Sequence, residues 1–491
     1  MEPSPPNQLT SMDGKRTVQF APIPRNRGQA GGMATSLTFS GGAGTVTGSK
    51  YLVSEAGRQV LVDAGVFQGE KHLRELNWQS FPVPPESIDA ILITHAHTDH
   101  VGYLPVLVRN GFAGEILATE ATCELAEIVL RDAAFLAERD AEHAAEKGYS
   151  KHETPLPLFT IGDVEQALTQ FRVVDFDVDV PLWPGWTAHW TRAGHILGSA
   201  SIRLATPSTS VVFSGDLGRP EHPVLRPREL PDGARNVLIE STYGGREHHD
   251  PAGAAHEPLA DLIRRTAKRG GSVLIPAFAV DRTEVVLQTL TQLHKDGRIP
   301  TMPIFVNSPM ALAALRIYRE ARFADELRPD LDAGSFVDLP HLREVRSTEE
   351  SMQLNSPKVP SIIISSSGMA TGGRVLHHLE HMLPDPRHAV VLAGYQAEGT
   401  RGRLLLEGAQ HLKMHGRQVP VRAEILQDEE FSVHADRSEL LDWLAGLTPK
   451  PAQVFTVHGT EESAGALAAA IRSQLGLNVV VPELGQTVEL A

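Results

Sequence analysis

Residues 90–100 read Ala-Ile-Leu-Ile-Thr-His-Ala-His-Thr-Asp-His, which puts three histidines and an aspartate within six positions directly behind an apolar run. A short apolar run of this kind reads as a buried strand. Groups just beyond the end of a buried strand are held rigidly and face a cleft. His95 and His97, at alternate positions, can converge on one metal ion, while Asp99 and His100 turn toward a second. Imidazoles and carboxylates without thiolate suit zinc, and manganese or iron less well. A fold carrying such a loop must bring several other strand ends to the same place, because one loop cannot complete two coordination shells.

The chain repeats the design. Gln59-Val-Leu-Val-Asp63, Val211-Val-Phe-Ser-Gly-Asp216 and Val237-Leu-Ile-Glu240 are apolar strands that each end on a carboxylate. Asp216 is placed to bridge two ions, and two metals about 3.5–4 Å apart would acidify a shared water and stabilise charge on a displaced oxygen. Gly194-His195-Ile-Leu-Gly-Ser199 offers a histidine between glycines that permit close backbone approach. Val421–Leu426 and Gln453-Val-Phe-Thr-Val457 are later strands that deliver His434 and His458.

At 491 residues the chain exceeds one compact core, and two domains are expected. Residues 1–35 are rich in Pro, Gly, Asn and Arg and read as a disordered extension without the apolar segment of a secretory signal. Residues 36–245 carry the strand-end motifs. Residues 246–400 alternate helices (Ala255–Arg269, Asp281–His294) with strands (Ser272–Pro276, Pro303–Val306, Ser361–Ser365, Ala389–Leu392), the pattern of a parallel α/β sheet inserted into the first domain. Residues 401–491 are expected to return and complete that first domain. No apolar run reaches the roughly 18 residues of a membrane span. One cysteine, Cys123, excludes an intramolecular disulfide framework and fits a reducing cytoplasm. The formal charge of −15 excludes a surface coated everywhere by nucleic acid but not a local basic cleft.

Taken together, Asp63, His95–His100, His195, Asp216, Glu240-Ser-Thr-Tyr-Gly244, Ser308-Pro-Met310, Ser367-Gly-Met-Ala-Thr-Gly-Gly-Arg374, Phe431-Ser-Val-His-Ala-Asp436 and Val457-His-Gly459 closely resemble the metallo-β-lactamase superfamily, specifically its β-CASP nuclease branch. The resemblance covers nearly all of the chain from about residue 36. It implies an αββα hydrolase sandwich capped by an inserted β-CASP α/β domain, with nucleic acid passing between them. It also implies two zinc ions, with manganese as the alternative. His95, His97 and His195 would hold one ion and Asp99, His100 and His458 the other, with Asp216 bridging and Asp63 orienting the histidine loop. The implied reaction is hydrolysis of RNA phosphodiester bonds by a metal-bridging hydroxide. Asp99, Asp216, Glu240 and His434 form the catalytic set, and His434, poised by Glu240, protonates the leaving oxygen. A histidine at the position of His458 is associated with RNA-cutting members of the family. The implied partner is therefore single-stranded RNA, and a homodimer is left open.

In the cap, Ser365–Gly373 follows a strand and precedes a helix, the setting of a phosphate cradle. Ser308, Ser366, Ser367, Gly368, Thr371, Gly372 and Gly373 are its candidate RNA contacts, with Arg282, Arg374 and Arg401 as backbone-binding cations. His377 and His378 read as structural, and His248 and His249 as polar-loop residues without a specific task. Asp281, Glu284 and Asn307 stand where glycine, glutamine and aspartate are common in the family. The alternatives are a DNA nuclease of the same fold and a non-catalytic scaffold of an RNA-processing complex.

Overall fold

The computed structural model describes residues 34–147, 155–248, 254–334 and 336–490. The expected N-terminal extension lies outside these residues up to position 33, and the first strand begins at Thr35.

Two mixed seven-stranded sheets form the first domain. The first runs, in spatial order, Thr487–Leu490, Thr35–Phe39, Tyr51–Glu55, Arg58–Val62, Ala90–Leu92, Glu115–Thr119, Phe171–Val174. The second runs Val479–Val480, Gln453–Val457, Asn236–Glu240, Ser210–Phe213, Ala200–Ala205, Trp186–Arg192, Asp179–Trp183. Side-chain alternation sorts each strand onto two faces. Val60, Val62, Leu92, Leu117, Val211, Phe213 and Leu238 point into the core between the sheets. Leu61, Ile91 and Ile116 point outward under helices Leu104–Arg109, Glu120–Lys147 and Ile161–Leu168. Val212, Val237 and Val454 point outward under helices Arg437–Gly446 and Glu461–Ala470. This is the αββα sandwich, and each buried aliphatic side chain contributes about 1.5–3 kcal/mol to it. The last strand, Thr487–Leu490, pairs antiparallel with the first, so the two ends of the described chain close one sheet.

The cap is a six-stranded parallel sheet in the order Leu342–Glu344, Ile304–Val306, Ile362–Ser365, Val273–Pro276, Ala389–Ala393, Glu424–Asp428. Helices Glu257–Lys268, Arg282–Lys295 and Pro309–Tyr318 cover one face, and Arg374–Met382 and Arg401–Leu406 the other. One expectation needs correction here. The strand read at Val421–Leu426 is Glu424–Asp428, and it pairs with Ala389–Ala393 in the cap rather than feeding the first domain. The chain leaves the cap sheet after Asp428, not at residue 400. Apolar content marks a strand but not the sheet that receives it, and this edge strand is only half-buried over most of its length. Buried residues of the cap and of the first domain belong to one continuous apolar cluster, in which helix Glu120–Lys147 packs on helix Pro309–Tyr318. No helix among the described residues is long and apolar enough to cross a membrane.

Glu284 lies fully buried in the cap, and neither of its carboxylate oxygens has a hydrogen bond of normal geometry among the described residues. Burial, reinforced by the nearby Asp281 carboxylate, pushes its pKa well above the usual carboxyl range, so the side chain is neutral there. The unfolded chain releases that proton at the ordinary glutamate pKa, so stability falls as pH rises from that value toward the raised folded one. Glu284→Gln should therefore melt above the parent protein, with a gap that widens from pH 5 to pH 8 in thermal denaturation. A gap independent of pH would rule the explanation out.

Candidate metal centre

The two sheets deliver their motifs to one end of the sandwich. His95, His97, His195 and Asp216 bring ligand atoms within 4.8 Å of one another, and Asp99, His100 and His458 do the same beside them. In the first group His97 Nδ1 stands 3.2 Å from both His95 Nε2 and His195 Nε2. Asp216 Oδ2 lies 3.6 Å from each of those two Nε2 atoms. The other oxygen, Asp216 Oδ1, lies 3.4 Å from His100 Nε2 and 3.3 Å from His458 Nε2, and His458 Nε2 is 3.8 Å from Asp99 Oδ2. Two donors on one tetrahedral zinc at about 2.0–2.1 Å sit about 3.4 Å apart. The observed separations match that edge.

The buried atoms fit a cation better than they fit each other. His100 Nε2 and Asp216 Oδ1 are buried without a hydrogen bond of normal geometry. Burial, then the neighbouring His100 ring, drives the His95 pKa well below the histidine norm, and burial with His434 does the same to His195. Both rings are neutral and keep a lone pair for a metal. Burial opposes a cation at His100 as well, yet Asp216 and Asp63 overcome it and hold its pKa well above normal. A metal ion bound there would take over the task of that proton.

A second layer fixes which nitrogen of His95, His100 and His458 faces inward. Asp63 Oδ2 accepts from His100 Nδ1 at 2.7 Å and from Thr94 Oγ1 at 2.8 Å, while Oδ1 accepts from the Thr94 amide at 2.8 Å. Thr94 Oγ1, its proton given to Asp63, accepts from His95 Nδ1 at 3.1 Å. Ser49 Oγ does the same for His458 Nδ1 at 2.9 Å. The turn bearing Asp99 rests on Gly65, where a Cβ would come 1.5 Å from the Asp99 carbonyl oxygen. Asp63 is thus where the sequence expectation puts it, behind the loop; Ser49 and Thr94 were not singled out, and only the apposition of three strands brings them there.

The His195 loop is held from the cap. The Leu197 amide donates to Tyr318 Oη at 3.0 Å, and the Gly198 amide to Glu326 Oε2 at 2.7 Å. Tyr318 Oη in turn donates to Asp281 Oδ1 at 2.9 Å, and Asp281 Oδ2 lies 3.2 Å from His222 Nε2. Asp281 has φ +69°, which explains why glycine is common at this position; here a carboxylate accepts the strain and ties the two domains together.

His434 sits at the mouth of the site, its ring centroid 4.4 Å from that of His195. Its Nδ1 is 3.4 Å from Glu240 Oε1, and the Leu217 and Thr242 amides fix the Glu240 carboxylate at 2.7 and 3.3 Å. Burial disfavours the His434 cation, but Glu240 prevails and raises its pKa above the histidine norm. His248, expected to have no task, donates from Nε2 to the His434 carbonyl at 3.0 Å and from its amide to Asp436 at 3.0 Å. His249 lies outside the described residues.

The cap residues divide. Ser308 Oγ caps helix Pro309–Tyr318 by accepting from the Ala311 amide and also accepts from Ser366 Oγ at 2.7 Å. Ser367 Oγ accepts from the Thr371 amide at 3.1 Å, Gly368 is buried, and Thr371 and Gly373 are exposed at the start of helix Arg374–Met382. Gly372 is half-buried beside them. The three arginines, read as backbone-binding cations, each donate to groups within the cap. Arg374 donates to Asn307 Oδ1 and to the Val345 and Arg346 carbonyls. Buried Arg282 donates to the Ala393 carbonyl, and Arg401 to those of Ala370, Thr371 and Lys413. Carbonyls at the ends of cap strands and loops need donors, and these guanidinium groups supply them. Asn307 also donates to His378 Nε2 at 2.6 Å, deep in the cap.

Comparison with known proteins agrees with this geometry. Residues 43–277 match the metallo-beta-lactamase superfamily, 283–405 the Beta-Casp domain, and 418–482 the Zn-dependent metallo-hydrolase RNA specificity domain. A relative from Thermus thermophilus, "Ribonuclease TTHA0252", is 40% identical over 440 residues, spanning 88% of this chain and 96% of its own length. The chain belongs to the metallo-β-lactamase superfamily, in its β-CASP branch. Another relative, "Transcription termination factor FttA" of Pyrococcus abyssi, is 31% identical over 92% of this chain and 71% of its own length. A crystal structure of a protein of unknown function from Enterococcus faecalis shares the fold with a TM-score of 0.51, at 12% identity over 93% of this chain and all of its own. In this metallo-β-lactamase member the clustered imidazoles and carboxylates constitute a metal centre.

Asp63→Asn keeps the shape of the side chain but removes the charge that orients His100. Zinc affinity should fall by about 10- to 100-fold in competition with a chromophoric chelator. Unchanged affinity would show that Asp63 does not govern the ligand ring.

Proposed function

We propose that the protein is a two-zinc ribonuclease that hydrolyses phosphodiester bonds of single-stranded RNA in RNA processing or decay. The observation that carries the reading is the division of Asp216, one oxygen toward His95 and His195 and the other toward His100 and His458. His95, His97 and His195 hold one zinc in this reading, Asp99, His100 and His458 the other, and Asp216 both. When bound, the pair lowers the pKa of water and offsets the negative charge that builds on the phosphoryl oxygens.

The residues outside the ligand ring supply orientation and proton transfer. Glu240, fixed by two backbone amides, keeps His434 protonated through Nδ1 and leaves Nε2 to deliver a proton to the departing ribose oxygen. The strap from Leu217 to Arg219 holds His434 on both sides, because Ala435 donates to the Leu217 carbonyl and Arg219 to the Val433 carbonyl. Asp216 and His434 therefore keep a fixed separation. The exposed loop residues Thr371 and Gly373, with Gly372 beside them, remain the phosphate contacts of the cap. The preference for RNA is supported by the RNA specificity domain match, which contains both His434 and His458, and by the name of the Thermus relative. A cytoplasmic setting agrees with the unpaired Cys123, whose thiol burial pushes up to about 12 and so keeps unreactive.

His434→Ala should retain zinc and RNA binding while losing about 10²- to 10⁴-fold in kcat on single-stranded RNA. Asp216→Ala should lose zinc and cleavage together. If the zinc-loaded parent leaves varied RNAs intact, or cuts matched DNA faster, the reading is wrong.

A further inference from the structure

The carboxyl ends of three adjacent cap strands, Ile362–Ser365, Val273–Pro276 and Ala389–Ala393, open toward the site, and in parallel α/β sheets such ends are where ligands bind. The loops there carry aromatic rings that no core requires. Phe278, just after Val273–Pro276, is 39% exposed. It is braced by Gly368, where a Cβ would lie 2.9 Å from the ring, so the ring is fixed in place yet open to solvent. Tyr395, just after Ala389–Ala393, is half-buried. Its neighbour Gln396 links the two loops by donating to the Gly368 carbonyl at 3.3 Å.

From Tyr395 a line of rings leads to the metal centre. Its centroid is 6.5 Å from that of Tyr243, which is 6.1 Å from that of His434 and inclined 30° to it, and His434 is 4.4 Å from His195. Arg246 is exposed beside this line, its guanidinium carbon 5.9 Å from the Tyr395 ring centre, and it forms no ion pair among the described residues. A cation without an ion pair among the described residues, beside partly exposed aromatic rings, is a combination by which proteins grip a single strand without reading its sequence. We propose that Tyr395 and Phe278, with Arg246 beside Tyr395, are a nucleobase-stacking platform that holds RNA as it enters the metal centre. The inference rests on the ribonuclease reading and adds to it the residues that bind the bases. Because every base has a π-face, such a platform favours unpaired strands and tolerates any sequence.

The test uses zinc-loaded protein and a short single-stranded RNA in which each position in turn is made abasic or replaced by 2-aminopurine. In the parent, one or two abasic positions should raise KM by about 5- to 100-fold with little change in kcat. Tyr395→Ala should raise KM for intact RNA similarly, and the same abasic positions should then add nothing. Tyr395→Phe, which keeps the ring, should behave like the parent. Stopped-flow mixing should quench 2-aminopurine at those positions in the parent and in Tyr395→Phe but not in Tyr395→Ala. The platform is overturned if no abasic position matters to the parent, an arm that holds even if a variant folds poorly. Equal impairment of Tyr395→Phe and Tyr395→Ala also overturns it. A parent that cuts none of these RNAs overturns the ribonuclease reading as well, whereas cleavage without base dependence overturns the platform alone.

Discussion

Asp216 is buried at the seam between two sheets, and a carboxylate there is tolerable only when positive charge or strong donors face both of its oxygens. The fold meets that constraint by ending strands from both sheets at the same point, so that imidazoles arrive from the first sheet through His95, His97 and His100 and from the second through His195 and His458. Three of these rings are tethered from behind. Asp63, Thr94 and Ser49 hold the outward nitrogens of His100, His95 and His458, so the inward nitrogens point at the aspartate. Rotamer freedom lost by the ligands is lost on folding, not on binding metal, which is why such a site is tight once formed.

The cap is as much a part of this arrangement as the sandwich. Its Tyr318 and Glu326 take the amides of the His195 loop, and its Asp281 reaches back to His222. Every one of these contacts is buried, where a hydrogen bond lost leaves a stranded polar group worth about 1–3 kcal/mol. Inserting a domain here did more than cover the cleft. It gave one metal-bearing loop an external brace, and it made Asp281 a residue of both domains.

How much of this was legible in the sequence follows from how local each feature is. A strand ending on histidine or aspartate has one outcome, so His95 to His100, His195, Asp216, Glu240, His434 and His458 all converge where the motifs predict. The parallel cap follows from the strand–helix rhythm, whereas the αββα sandwich is what the resemblance to the β-CASP branch implies. What the sequence does not show depends on partners remote in the chain. Arg282, Arg374 and Arg401 read as phosphate ligands because arginine is long and charged, and the cap groups that take their donors carry no sequence signal. Strand Glu424–Asp428 was assigned to the wrong sheet because its half-buried pattern fits either. His248 stands in a polar loop with no periodicity, so its bond to the His434 backbone has no sequence signal. The positive φ of Asp281 is equally invisible, although a glycine common at that site hints at it.

The apolar cluster that runs without interruption from the sandwich into the cap, through helices Glu120–Lys147 and Pro309–Tyr318, bears on how a polymer gets in. A lid hinged on flexible linkers swings clear to admit a folded substrate, but this one is welded along a hydrophobic seam, and lifting it would wet that seam. The two domains are therefore held in one arrangement by buried contacts. Any opening between the domains must expose that seam, so it is coupled to the stability of the core itself.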